Sequence, residues 1–176
     1  SLDNGNGDIV ASKKNIYLTD SLGEKILGVR HNNGRDYWVI VRKHRKNEMY
    51  AYLITPEGLN ISPVVSLVNN SYNFFGDVGQ MVSNHQGNKI AEAVSNTSFS
   101  GTLSSGIIVY DFDASSGIVS NATIYQSVAS GVTPFSFFYA CAFSPDDQQL
   151  YFGKTYSTQF DYQILQHDMS LWTPTA

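Results

Sequence analysis

Charge is scarce in this chain. Of its 176 residues only 15% are Asp, Glu, Lys or Arg, against roughly 25% in an average soluble domain. The net charge of −4 gives no global attraction for nucleic acid or anionic lipid. Cysteine is nearly absent. Cys141 stands alone, so no disulfide can form within the chain. It sits in Phe138-Tyr139-Ala140-Cys141-Ala142-Phe143, where a small buried core residue is expected. No apolar run approaches the ~20 residues of a spanning helix, so no membrane span is expected. Helical periodicity is almost missing, and its one candidate, Ser21 to Leu27, is too short to count. No secretory leader opens the chain at Ser1, which reads as cytoplasmic or as a mature or trimmed piece of an exported protein. P-loop, GxSxG, HExxH, CxxC and Gly-rich dinucleotide patterns do not occur. Those absences remove the commonest nucleotide, serine-hydrolase and zinc chemistries, and no cofactor is expected.

What the chain does contain is short β-branched and aromatic runs punctuated by Gly, Asn, Ser and Pro. Apolar residues make up 42% of it, enough for one domain with a core. The clearest stretch is 28–67. Its runs are Val29-Arg30, Tyr37 to Val41, Met49 to Ile54 and Ile61 to Leu67. Between them lie the turns Asn32-Asn33-Gly34, Arg42 to Asn47 and Pro56-Glu57-Gly58. Four runs with tight turns predict an antiparallel meander, the unit of a propeller blade. Tyr37 to Val41 is apolar without break and is expected to be buried on both faces. Arg42-Lys43-His44-Arg45-Lys46 reads as a solvated hairpin tip.

The unit repeats. The turns His31-Asn32-Asn33-Gly34, Asn84-His85-Gln86-Gly87 and Ser144-Pro145-Asp146-Asp147 recur at intervals of about 53 and 60 residues, near a long-looped blade period. A second match pairs Tyr50 to Leu53, Val109 to Phe112 and Gln166 to Met169. The predicted fold is all-β: a partial β-propeller of about three four-stranded antiparallel blades in an open arc, one domain over 1–176. Residues 1–27 read as the end of a preceding blade, with short strands at Asp8 to Val10 and Asn15 to Leu18. Residues 28–68 are blade one, 78–128 blade two and 139–176 an incomplete blade three. In blade two, Gln80 to Ser83, Lys89 to Val94, Gly106 to Asp113 and Ala122 to Val128 are the strands. Asn96 to Ser105 is a polar loop, and Asn69 to Asp77 and 129–138 connect blades. In blade three, Ala140 to Phe143, Gln149 to Gly153 and Tyr162 to Asp168 are strands. Trp38, Val39, Ile40, Ile108, Val109, Ala142, Phe143 and Leu150 are expected to be buried. The end blades are expected to expose apolar faces. A sandwich, which would give two facing sheets, is the competing fold.

Ser144-Pro145-Asp146-Asp147-Gln148-Gln149-Leu150-Tyr151 resembles the Ser-Pro-Asp-Gly-x-x-Leu-Tyr turn of lactonase-like propellers. Val109-Tyr110-Asp111-Phe112-Asp113 followed by Ser116-Gly117 is similar to their third strand and its turn. The succession HNNGRDYWVIV, AYLITPEGL, SPVVS and YDFDASSGIVSN resembles secreted proteins that begin with such a propeller. Those continue into PKD-like repeats and a type IX secretion, gliding-motility-type sorting domain. The likeness runs from Gly28 to Ser170, and the Trp-Asp signature of WD-type repeats is absent. It implies an extracellular or cell-surface location.

Candidate binding residues are His31, Asp36, His85, Glu92 and Asp146. His31 and His85 fall at or beside equivalent turns, where repeats can bring side chains round one axis. Short polar side chains there also satisfy turn backbone, and no metal site is expected. An Asp3, Asn6, Asp8 calcium loop is a poor match, because Gly stands where oxygen ligands belong. Asp111 and Asp113 share a strand face and are expected to cap the turn at Ser115 to Gly117. No nucleophile, base and orienter cluster breaks the repeat. The expected function is a non-catalytic secreted or surface module for binding or presentation, its ligand a glycan or a protein. Its further partners would be the missing blades of the parent chain or a second copy. The alternative is a lactonase- or lyase-like enzyme. Its central pocket would gather at least three of the five candidates.

Overall fold

A computed structural model of the chain describes residues 5–7, 9–68, 78–95, 105–128, 136–156 and 162–171. The protein is all-β, with antiparallel sheets of up to four or five strands. The first sheet holds β1 (Leu22–Arg30), β2 (Tyr37–Lys43), β3 (Glu48–Thr55), β4 (Gly58–Leu59) and β5 (Val64–Leu67). β4 and β5 both pair with β3, at opposite halves of it. The second holds β6 (Met81–Ser83), β7 (Lys89–Val94), β8 (Ser105–Asp113) and β9 (Ile118–Val128), in that order. The third holds β10 (Ser136–Phe143), β11 (Gln149–Tyr156) and β12 (Tyr162–Asp168). In the meander expected at 28–67, Tyr37 pairs with Ile54 and Val41 with Tyr50.

The three opening turns are one structure used three times. In each, the first residue's N–H donates to the carbonyl five residues on: His31 to Asp36, Asn84 to Lys89, Ser144 to Gln149. In each, the fourth residue's N–H closes back on the first carbonyl: Gly34 to His31, Gly87 to Asn84, Asp147 to Ser144. That fourth residue has positive φ every time, at 73°, 67° and 59°. Two of the three are Gly, for which this region is free of strain; Asp147 tolerates it as a short polar residue.

These anchors give the equivalences along the strands. Trp38, Ala91 and Tyr151 correspond, and across the ladder they face Leu53, Val109 and Gln166. The second sequence match is therefore out of register by three residues in the first sheet: Leu53, not Tyr50, stands with Val109 and Gln166. An odd slip exchanges the two faces of a strand, and apolar content alone does not register it where both faces are apolar.

The sheets stack face to face with the second in the middle. Along β7, Ile90 and Val94 join a core shared with Val29, Trp38, Ile40, Met49 and Ala51 of the first sheet. Ala91 and Ala93, pointing the other way, join a core with Phe138, Cys141, Leu150 and Phe152 of the third. β8 divides likewise, with Ile108, Tyr110 and Phe112 toward the first sheet and Ile107 and Val109 toward the third. Two apolar faces on one strand produce the unbroken apolar runs of the sequence.

Several expectations are corrected. Residues 9–18 form no strand: Asn15 has φ 55° and Ala11–Lys13 is a 3-10 turn. The segment crosses the far face of the first sheet, where Lys13 Nζ donates to the Glu57 carbonyl at 2.8 Å and Lys43 Nζ to the Asp20 carbonyl at 2.6 Å. Ser21 to Leu27 is largely β1, which straddles the expected boundary at 27/28. β9 begins at Ile118 and β10 at Ser136, earlier than expected. The basic tip is solvated only at His44 to Lys46, because Arg42 and Lys43 are buried. Trp38, Ile40, Ile108, Val109 and Leu150 are buried, but Val39 and Phe143 are half-buried and Ala142 is exposed. Ala142 lies on the outer face of the third sheet, which no described residue covers. The spacer at 69–77, the loop at 96–104 and the Asp3 to Asp8 stretch fall on or include residues outside those described.

Trp38 joins the first two sheets. Its indole N–H donates to the Ala114 carbonyl at 2.9 Å, and Asn32 N–H reaches the same oxygen at 3.2 Å. Gly117, at φ 78°, lies flat on the indole, and a Cβ there would come within 2.7 Å of it. Gly117→Ala is therefore expected to destabilise the protein by about 2 kcal/mol, from backbone strain and overpacking together. Ile108→Ala should cost roughly 2–5 kcal/mol as a cavity between the first two sheets. Urea titrations check both, and losses of a few tenths would show sites free to adjust.

Candidate functional site

Two clefts open where successive opening turns lie side by side. The first, of about 310 Å³, lies between the β1–β2 and β6–β7 turns and is lined by Arg30, His31, Asn32, Ser83, His85 and Gln86 among others. The second, of about 420 Å³, lies between the β6–β7 and β10–β11 turns. Its lining includes Gln86, Asn88, Lys89, Asp111, Phe143 and Met169. Each cleft forms because one turn is seated beside the next, but the first runs along the β1 side of its turn and the second along the β7 and β8 side.

In the first cleft His31 is held twice. Its Nδ1 accepts from Asn33 N–H at 2.9 Å, and its ring stacks on Trp38 at 5.6 Å between centroids. His85 is exposed, and its imidazole stands 3.9 Å from Asp147 Oδ1. The backbone behind it is fixed, because Asp147 accepts from His85 N–H at 2.8 Å and from Gln86 N–H at 3.0 Å. In the second cleft Lys89 pairs with Asp111, whose other oxygen accepts from Asn121 at 2.7 Å. Burial alone would raise the Asp111 carboxyl, but the bonds from Lys89 and Asn121 outweigh it and hold it low. The expectation that Asp111 caps a turn is thereby corrected. Asp113 is the cap, through Ser115 N–H at 2.9 Å and Ser116 Oγ at 2.6 Å.

The five candidates do not converge. His31 and His85 share the first cleft. Asp36 is buried inside its own turn, taking Asn33 Nδ2 at 2.7 Å and Arg35 Nε at 2.9 Å. Asp146 caps its turn through Ser144 Oγ at 2.6 Å and Gln148 N–H at 3.2 Å. Glu92 lies in neither cleft and has no exposed surface. Among the described residues no group of three His, Cys, Asp or Glu could hold a metal ion. Cys141 is buried, and loss of solvation pushes its thiol up to about 12, so it is no nucleophile at neutral pH.

Glu92 instead centres a buried ionic cluster between the first two sheets. Lys25 of β1 approaches one carboxylate oxygen at 2.8 Å, and Arg42 of β2 the other at 2.5 Å. Tyr110 of β8 donates its hydroxyl to Glu92 at 2.7 Å and accepts from Arg42 at 3.0 Å. Burial favours the neutral acid, yet Arg42 and then Lys25 overcome it, and the carboxyl is held at about 2. The same burial, then the Glu92 charge, lift the Tyr110 hydroxyl well above its ordinary range. Nothing in the sequence marked Lys25 or Arg42 for this role except their positions, alternating with Leu27 and Ile40 on inward-facing strand faces.

No protein-family model matches the chain, and no curated protein matches it.

The cluster carries an acid-stability prediction. Glu92 titrates near 2 when folded and near 4.3 when unfolded. The unfolded chain therefore takes up the proton first. The stabilisation is complete above about pH 5 and is lost as pH falls toward 2, amounting to roughly 3 kcal/mol. Glu92→Gln should flatten that acid limb and cost about 3–5 kcal/mol at neutral pH, since two cations stay buried beside a neutral amide. Urea titrations at pH 7, 5 and 3 measure both. An acid limb of equal slope in the variant would mean other carboxylates carry it.

Proposed function

We propose that this chain is an arc of a β-propeller acting as a non-catalytic, secreted or cell-surface binding module. The clefts between its opening turns receive the ligand. The arc reading is supported by how like strands meet. β1 packs near β6 and β6 near β10, while at the outer side β5 packs near β9. First strands adjoining first strands, and last adjoining last, is the relation of blades stacked around an axis. A sandwich of two facing sheets does not account for a middle sheet with both faces buried.

The binding reading rests on one observation: a cleft opens at each junction between successive opening turns. Apart from Arg30, which is bonded to the Gly34 carbonyl, the polar walls of the first cleft are amide, imidazole and hydroxyl groups on turns whose backbones are already hydrogen-bonded. Such walls suit a neutral, hydroxyl- or amide-rich ligand, a glycan or an extended protein segment, more than a strongly charged one. The lactonase- or lyase-like alternative draws on His31 and His85 meeting in one cleft. Against it, His31 Nδ1 is committed to Asn33 N–H, and Asp36, Glu92 and Asp146 are committed elsewhere.

A glycan array followed by calorimetry on the hits tests the reading. His85→Ala, which leaves the bonds from Asp147 to the backbone in place, should weaken binding at least tenfold, about 1.4 kcal/mol. Equal affinity in the variant would place the ligand away from the first cleft. Turnover of a lactone by the wild type that His31→Ala abolishes would favour the enzyme.

A further inference from the structure

The second cleft combines an ion pair with an apolar patch. Lys89, the first residue of β7, stands across the ladder from Asp111 on β8. The two are ion-paired, and their side chains are 31% and 36% exposed. Asn121 donates to the other Asp111 oxygen at 2.7 Å. Phe143, the last residue of β10, and Met169, just after β12, supply the apolar lining. Both are half-buried and packed against the core between the second and third sheets. Gln86 and Asn88 bring exposed amides to the same cleft. Its volume of about 420 Å³ falls within the ~300–1,000 Å³ of small-ligand sites.

We propose that this cleft binds a neutral sugar unit, with the C–H side of its ring against Phe143 and its hydroxyls bonded to Asp111 and the neighbouring amides. The inference rests on the binding reading above and narrows its ligand class. Charge selects first. An anionic group would meet Asp111 and a cationic one Lys89, so the paired site favours neither sign. Hydrogen bonding selects next. A carboxylate has about four acceptor sites, and Asp111 takes one bond from Lys89 and one from Asn121. Its remaining sites suit hydroxyl donors, and a hydroxyl also accepts from an amide beside it. Adjacent hydroxyls on one sugar ring do both at once, while the carbons between them need an apolar surface such as Phe143. Strand geometry selects last. An extended peptide adds to an open sheet edge through main-chain bonds. Here β7 and β8 are the inner strands of the second sheet, each paired on both sides, so the cleft offers side chains along them and no edge. Asn84 and Gln86 line both clefts, and a glycan chain seated in the second can continue into the first.

An array of neutral and acidic glycans and an array of extended peptides, each probed with the whole chain and followed by calorimetry on the hits, test it. Neutral glycans should bind, and Asp111→Asn and Phe143→Leu should each weaken them at least tenfold. Circular dichroism confirms that the variants fold, and Phe143→Leu keeps apolar bulk against the core while removing the ring. Neutral glycans held with unchanged affinity by both variants would overturn the inference; the binding reading would still stand if His85→Ala weakened them. Hits confined to acidic glycans or to peptides would overturn the inference and also leave that reading in place. No hit on either array would overturn both.

Discussion

The placement of the first sheet on the second depends on a buried carboxylate. Glu92 brings together β1 through Lys25, β2 through Arg42 and β8 through Tyr110, all at hydrogen-bonding distance. A hydrophobic interface between two sheets tolerates sliding, because apolar contact has little direction. An ion pair in a low-dielectric interior does not, since any displacement leaves a desolvated charge. The cluster thus fixes alignment where the apolar core around Ile40, Ile90 and Ile108 supplies the bulk of the attraction.

The second junction is fastened differently. Between the second and third sheets the core is formed by Ala91, Ala93, Ile107 and Val109 on one side and Phe138, Cys141, Leu150 and Phe152 on the other. Alignment there comes from turns and strand ends. Asp147 reaches the backbone of His85 and Gln86, and Gln80 N–H donates to the Tyr139 carbonyl. Because the fastening sits at the turns, the clefts beside them have fixed walls. Residues holding the sheets together are also those shaping the candidate site, which is how Asp147 comes to stand behind His85. Rigid turn walls reduce the ordering cost of binding.

The candidate residues divide by what their own turns demand. The oxygens of Asp36 are taken up by the Asn33 amide and the Arg35 guanidinium, and those of Asp146 by Ser144 Oγ and Gln148 N–H. His31 is partly so engaged. Only His85, at the second position of its turn, projects free of its own backbone needs. Position within the turn therefore separates structural from available polar side chains better than residue type does.

The sequence by itself determined the all-β class, the meander at 28–67 and the three opening turns, since Gly, Asn and Asp at fixed places state local backbone geometry directly. It also determined that Cys141 would be core. Local pattern did not carry which strand face meets which sheet. In β7 both faces are apolar, so period two is invisible, and the slip of three at Leu53 followed from that. Residues 9–18 looked like strands because Ile9, Val10, Ile16 and Tyr17 are β-formers. Asn15 at positive φ and the bonds of Lys13 made them a cap instead. The tertiary structure alone decided that Glu92, Lys25, Arg42 and Tyr110 meet. They are as much as 85 residues apart in the chain, and only sheet stacking sets a charge on β7 opposite charges on β1 and β2. It also decided that Ala142 faces outward, because burial depends on a neighbouring sheet and not on the strand that bears the residue.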